Sequence, residues 1–276
     1  MAKLPRIQEK VEISVDVRDI DSPKKPRISQ EVKLIRVSSA YNQGQKLHKI
    51  KNTKFTKCLF SGQEISEVNF YNCTFQNCIL NGAEFNECEF HGCKFVNCSF
   101  FKASFSNSYL DPRSFKFDAT WRRHYANVNV WLFQELYRNA KNMHQETFAM
   151  YADIDFQFYR RYEYLFGREK KPGMFIVSLL YDLVLGYGYG IWNAAISTVL
   201  GVSLFTFLIR DHIADDGDVG VAKALYFSVV SLTTVGYGDV LPQKDDFALI
   251  LTMLFLLGSV VWLAIVTAIV VKRMVK

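Results

Sequence analysis

The chain has 276 residues, room for two or three modules rather than one large core. Its formal net charge of +6 is modest, and its clustered basic residues flank apolar runs, which excludes a nucleic-acid-binding stripe. The opening MAKLPRIQEK has no apolar core and reads as no cleavable signal peptide. Half of the residues are apolar, but they are unevenly placed. Before residue 173 they alternate with polar ones; after it, long uncharged runs dominate. The segment REKKPG, 168–173, is charged and then broken by Pro172 and Gly173, which marks a domain boundary.

Residues 1–50 read as a strand-rich first segment. The alternation in VEISVDV suits an N-terminal strand, and DSPKKP suits the turn after it.

Residues 51–117 carry a five-residue period. Six cysteines fall at 58, 73, 78, 88, 93 and 98, separated only by multiples of five, and no C-x-x-C pair occurs. Two residues after each cysteine comes an apolar residue of one register, which runs through Phe55, Phe60, Ile65, Phe70 and so on to Phe105 and Leu110. One large and one small inward residue per unit is a solenoid pattern, since so short a unit cannot bury its own face. Cysteine then serves as a small buried hydrophobe, and neither zinc nor disulfides are expected. These residues resemble the pentapeptide-repeat family over 53–112, with a departure at Gln63 and Phe at most central positions. The resemblance implies a right-handed, four-sided β-helix. Twelve units at four per coil make three coils, a stack roughly 15 Å tall whose ends need caps. Between 53 and 111 four lysines stand against six carboxylates, a balance of −2, so DNA mimicry is not expected. A structural or interaction module is, with a regulatory partner or ligand that these residues do not name.

Residues 118–172 form a helical connector. Leu132, Leu136 and Ala140 line one face, while Phe148, Tyr151, Ala152, Asp155, Tyr159 and Tyr162 line another. NMHQE between them is a tight connection, giving a hairpin. His124 and His144 stand alone and read as solvent-facing or capping residues.

Residues 173–276 change character. The run over 191–209 is 19 residues without a charge, about 28 Å of helix, enough for an outer spanning helix over 191–210. Trp192 at its start suits an interfacial aromatic belt. An inner helix over 247–271 has 25 uncharged residues. Two shorter apolar runs cannot cross: 174–186 fits a helix lying at the interface, and 221–232 enters and stops. TTVGYGD follows the second run, over 233–239. Non-helical backbone at membrane depth survives only where protein or a watery cavity surrounds it. A helix ending there aims the negative end of its dipole inward. Gly236 and Gly238 permit the positive φ needed to turn successive carbonyls toward one axis, and four chains supply enough oxygens to replace a hydration shell.

In these residues the chain resembles two-transmembrane potassium channels of the inward-rectifier or bacterial type. The resemblance implies a filter of Thr234, Val235, Gly236, Tyr237 and Gly238, with the Thr234 hydroxyl among the K+ ligands. It also implies support from Thr233, Asp239 and Tyr226, the tyrosine being the aspartate's hydrogen-bond partner. Val230 stands where some relatives carry an acid. Gly258 falls at the inner-helix hinge, with close helix packing as the other reading of that glycine. Ser259 and Trp262 are expected at the cavity below the filter, and Val266, Thr267 and Val270 at the cytoplasmic narrowing.

Arg160, Arg161, Arg168, Lys170 and Lys171 precede the first apolar run, and Lys272, Arg273 and Lys276 follow the last. The positive-inside rule then places both termini in the cytoplasm of a plasma membrane, of the bacterial inner-membrane kind. Asp211, Asp215, Asp216 and Asp218 cluster in the outer loop, as loop solvation first and a cation-concentrating vestibule second. No arginine-rich apolar helix occurs, so no intrinsic voltage sensor is expected. Five residues follow Val271, so gating input is expected through the N-terminal half. No nucleophile–base set, phosphate loop or metal spacing points to an enzyme. The expectation is a mixed fold, β-solenoid, helical hairpin and two-transmembrane pore, forming a homotetrameric potassium channel in a lipid bilayer with K+ as its only ion. A non-selective cation channel and a membrane-tethered interaction module are the alternatives.

Overall fold

The computed structural model describes residues 11–14, 48–214 and 220–274. The DSPKKP turn, Asp215, Asp216, Asp218 and Lys276 lie outside the described residues. The described residues fall into two compact units divided between Ser178 and Leu179.

Among the described residues the first unit has twelve short strands: β1 (Val11–Ser14), β2 (His48–Lys51), β3 (Thr53–Thr56), β4 (Glu64–Ser66), β5 (Val68–Tyr71), β6 (Thr74–Gln76), β7 (Glu84–Asn86), β8 (Glu89–His91), β9 (Lys94–Val96), β10 (Ser104–Ser106), β11 (Tyr109–Leu110) and β12 (Phe115–Lys116). All pair in parallel, in three sheets ordered β1-β3-β6-β9-β12, β10-β7-β4 and β11-β8-β5-β2. A fourth face is joined by the bridges Leu59–Ile79–Ser99. Each coil takes twenty residues, so Phe55 pairs with Phe75, Phe75 with Phe95 and Phe95 with Phe115. Their rings stack 4.7, 4.8 and 4.6 Å apart, at the strand spacing itself.

The corners explain why the chain coils. Every fifth residue from Asn52 to Asn107 has left-handed backbone: Asn52, Lys57, Gly62, Glu67, Asn72, Asn77, Gly82, Glu87, Gly92, Asn97, Lys102 and Asn107. Asn and Gly adopt that conformation most readily, and they hold most of these positions. The register also extends one unit beyond each end of the 53–112 reading. Ile50 pairs with Phe70 below, and Phe115 with Phe95 above.

All six cysteines are free and buried in the solenoid core. From Cys73 onward the thiols point at carbonyls of the preceding coil, as Cys78 Sγ does to Phe55 O at 3.4 Å and Cys88 Sγ to Ile65 O at 3.2 Å. Burial pushes the Cys88 thiol up to about 11.

Three helices complete this unit: α1 (Ala119–His124), α2 (Ala126–Asn142) and α3 (Glu146–Phe166). The hairpin of α2 and α3 is not a separate connector, because Leu132, Phe133, Leu136, Ala152 and Tyr159 share one core with the solenoid phenylalanines. It covers the solenoid's C-terminal end, where the last coil leaves backbone groups unpaired. Asn139 answers both groups of Ser108: its Nδ2 donates to Ser108 O at 2.6 Å, and its Oδ1 accepts from Ser108 N at 3.1 Å. Trp131 Nε1 donates to Ala103 O at 3.2 Å. At the opposite end β1 pairs with β3.

The expectation that five basic residues before the first apolar run act as membrane anchors needs one correction. Arg161 is only 6 % exposed, with its guanidinium near the rings of Phe158 and Tyr162, so it belongs to the α3 packing. Its planar, weakly hydrated head suits an aromatic surround.

A fourth helix, α4 (Pro172–Leu185), has no buried residues, and the division between the two units falls inside it. The second unit continues with α5 (Ile191–Ile209), α6 (Val221–Leu232) and α7 (Asp246–Met274). The inner helix is longer than its 247–271 reading. Asp245 Oδ2 accepts from Ala248 N and caps its start. Lys272 and Arg273 fall inside its last turn, where the dipole favours cations. A core of Phe205, Ile209, Ile213, Ala224, Phe227 and Ala248 joins α5, α6 and α7.

Candidate functional site

Among the described residues two helices, Ile191–His212 and Asp246–Arg273, are long and apolar enough to cross a membrane. Only 17 % and 11 % of their most apolar stretches are buried within the chain, whereas a soluble core helix would be mostly covered. α6, twelve residues long, lies against both.

Several hydroxyls embedded in these apolar helices find partners within the chain, as scarce water favours. Thr206 Oγ1 donates to Ser228 Oγ at 2.9 Å and lies 2.8 Å from Val202 O, while Ser228 Oγ donates to Ala224 O at 2.8 Å. This buried pair ties α6 to α5. Phe205 stacks on Phe255 with ring centroids 3.8 Å apart and planes within 2°. Sequence reasoning passed over Thr206 and Ser228, although a lone hydroxyl in an apolar run is a signal of such pairing.

The TTVGYGD stretch leaves the C-terminal end of α6. Thr233 Oγ1 donates to Val229 O at 2.9 Å and Val230 O at 3.2 Å, closing off two of the helix's last carbonyls. Thr234, Gly236 and Gly238 then have φ of 56°, 58° and 77°, while Val235 and Tyr237 between them keep negative φ. In an extended strand successive carbonyls point to opposite sides. Alternating handedness removes that flip, so consecutive carbonyls can face one side. Val235 and Tyr237 are 53 % and 71 % exposed, so one chain covers little of this backbone.

Behind the stretch lies a cavity of about 320 Å³ lined by residues that include Tyr226, Val230, Thr252 and Leu256. Tyr226 Oη donates to Asp239 Oδ2 at 2.9 Å across it. Val230 gives the cavity an apolar wall where an acid would add a second tether. Thr252 Oγ1 is buried with no hydrogen-bond partner among the described residues. The loop after Asp239 is held from the far side by an antiparallel bridge between Ile213 and Pro242 and by Gln243 N donating to His212 O at 2.7 Å. His212 Nδ1 lies 3.3 Å from Asp245 Oδ2. No sequence motif marked this strap, because its two strands are single residues.

On α7 the structure and the sequence expectation part. Gly258 lies in an unbroken helix, and a Cβ there would meet nothing within 4 Å, so close packing within the chain does not require a glycine. Ser259 and Trp262 were expected at a cavity below the filter. Ser259 is instead 3 % exposed, its Oγ donating to Phe255 O at 2.7 Å. Trp262 Nε1 donates to Thr198 Oγ1 on α5 at 2.9 Å. The indole N–H needs an acceptor at this depth, and the outer helix supplies it. Both residues line a largely apolar cavity of about 590 Å³ with Leu183, Ile196, Gly201 and Leu254. Val266 and Val270 are half-buried and Thr267 is exposed, its Oγ1 donating to Leu263 O at 2.8 Å. One chain does not bring these three together around an opening.

Residues 48–120 match the Pentapeptide repeat region family, and residues 194–276 match the Ion channel family. The chain therefore joins a β-solenoid that matches the first family to a helical region that matches the second, and neither family is named for catalysis. Two-pore potassium channel 1 of Arabidopsis thaliana is 43 % identical over 51 residues, 18 % of this chain and 14 % of that protein. Two pore potassium channel a of Oryza sativa subsp. japonica is 32 % identical over 94 residues, 34 % of this chain and 23 % of that protein. TWiK family of potassium channels protein 18 of Caenorhabditis elegans is 44 % identical over 55 residues, 20 % of this chain and 10 % of that protein. The chain thus spans less than a quarter of the length of these relatives.

Proposed function

We propose that this chain is the protomer of a homotetrameric, potassium-selective channel that conducts K+ passively across a plasma membrane. The observation that carries the reading is the alternation of handedness from Thr234 to Gly238 at the end of a helix too short to cross. Thr234, Val235, Gly236, Tyr237 and Gly238 supply the carbonyls, with the Thr234 hydroxyl as a further ligand; Thr233, Tyr226 and Asp239 hold them from behind. K+ exchanges its water for these oxygens and moves between sites of similar affinity, so conduction needs no covalent step. The exposed flank of the stretch is where three further copies complete the ring. The names of the matched relatives support potassium as the ion. Exposed Arg168, Lys170 and Lys171 before the first spanning run, with Lys272 and Arg273 after the last, favour cytoplasmic termini.

Flux into liposomes holding the purified full-length chain tests the reading. Potassium flux is expected to exceed sodium flux. Gly236→Ala or Gly238→Ala is expected to abolish it while tetramers persist, because an L side chain at φ near +60° costs roughly 1–2 kcal/mol per position. Equal flux of both ions would favour a non-selective cation channel. A wild-type chain that assembles in the membrane without flux would favour a tethered interaction module.

A further inference from the structure

α5 and α7 run antiparallel, and three side-chain contacts join them in one register. Phe205 stacks on Phe255, Thr198 bonds Trp262, and Lys272 Nζ lies 3.7 Å from the ring centroid of Tyr189, just before α5 begins. On α7 the first two contacts lie seven residues apart, with buried Ile269 seven further on, so they share one stripe of the helix. Gly258 falls between the first contact and the other two.

The lower contacts meet a rigid partner. The elbow joining α4 to α5, Gly186–Tyr189, has φ of 51°, 55° and 79° at Gly186, Tyr187 and Gly188. A Cβ at Gly188 would fall 2.9 Å from Tyr181 Oη. Tyr187 is 2 % exposed and packs edge-on against Tyr181. Asn193 Nδ2 donates to Asp182 O at 3.2 Å and Leu183 O at 3.0 Å, and Ser197 Oγ to Val184 O at 3.3 Å, which closes the C-terminal end of α4. Thr198 is held as firmly: its hydroxyl donates to Ala194 O at 2.8 Å while accepting from the indole.

We propose that Thr198–Trp262 and Tyr189–Lys272 are two latches that fix the cytoplasmic half of α7 against α5 and its elbow. α7 bends at Gly258 only when both release, while Phe205–Phe255 keeps the upper half in place. The inference rests on the pore reading, in which that half of α7 carries the gate. Lever arithmetic makes the latches effective. Lys272 lies about 21 Å beyond Gly258 along the helix, so a bend of about 15° moves it by about 5 Å, outside cation–π range. Trp262, about 6 Å beyond the hinge, moves by about 1.6 Å, enough to lengthen its hydrogen bond past use.

Single-channel recording of the full chain in planar bilayers tests this. Thr198→Val removes the bond at nearly constant volume and Trp262→Phe removes it together with the indole's second ring, and each is expected to raise the open-to-closed ratio about 3- to 15-fold. The double variant is expected to open no more than either single one, because both lose the same bond. Thr198→Ser, which keeps the hydroxyl, is expected to behave as the parent does. Tyr189→Leu and Lys272→Gln are expected to form a second non-additive pair. Potassium-selective currents with unchanged open probability in all these variants would overturn the latches and leave the pore reading standing. A parent chain without selective current would overturn the pore reading and the latches with it.

Discussion

Single side chains decide how the solenoid ends. The last coil presents Ser108 N–H and C=O to the hairpin, and one amide, Asn139, answers both while only 3 % exposed. Asn139→Ala is expected to cost about 2–6 kcal/mol, since it orphans two buried backbone groups at roughly 1–3 kcal/mol each. Chemical denaturation of the full chain in detergent measures it, and a loss under 1 kcal/mol would mean that water replaces the cap. Asp155 behaves in the opposite way. Burial alone pushes its carboxyl from 3.8 up to about 6. With the folded value the higher, its contribution favours the folded state below about pH 4 and is lost as pH rises to about 6. Asp155→Asn is therefore expected to raise stability by about 3 kcal/mol at pH 7 and hardly at all at pH 4. Thermal unfolding at the two pH values checks the sign; an equal gain at both would place the carboxyl in water.

At the scale of elements, α7 explains why the proposed gate is hard to read from sequence. It is apolar all round, so no amphipathic stripe tells one face from another. Ser259 and Trp262 turn to α5, which leaves Val266, Thr267 and Val270 as the candidates for a narrowing made by four copies. Apolar side chains brought together in that way close a pore by dewetting. Val266→Asp or Val270→Asp is expected to raise open probability by wetting the constriction, without change in potassium selectivity. Recordings that show the parent's open probability in both variants would move the gate up toward the filter. The solenoid strands need no such test of face. Their inward residue recurs every fifth position, and stacked phenylalanines confirm it at 4.6–4.8 Å along the sheet of β3, β6, β9 and β12.

For the whole molecule, the division into two units changes where the chain can be cut. Removing the solenoid at residue 117 would strip Leu132, Phe133 and Leu136 of the phenylalanines they pack on. Removing residues 1–170 takes the solenoid and hairpin together and leaves the second unit's own core of Phe205, Phe227 and Ala248 untouched. That shorter chain is expected to assemble and select potassium in liposomes, with altered open probability. Loss of selectivity, with tetramers still present by crosslinking, would show that the first unit is needed to hold the filter.

The amino-acid sequence by itself determined the features that repeat or that only one chemistry explains. A five-residue period leaves one way to bury its large residues, and Asn or Gly at most corners admits the left-handed turn that each coil needs. Two uncharged runs long enough to span, and a short one ending in TTVGYGD, mark the proposed pore region because backbone without water has few options. Tertiary structure alone decided which partner each isolated side chain takes. Arg161 reads as an anchor from its position, yet it is buried among the rings of α3; Trp262 reads as cavity-facing, yet it bonds Thr198, 64 residues away. Asn139 lies in a helix with nothing nearby to mark it as the partner of Ser108, at a solenoid corner 31 residues earlier. Periodicity locates a residue on a face, but the partner across that face comes from a distant part of the chain and is set by packing.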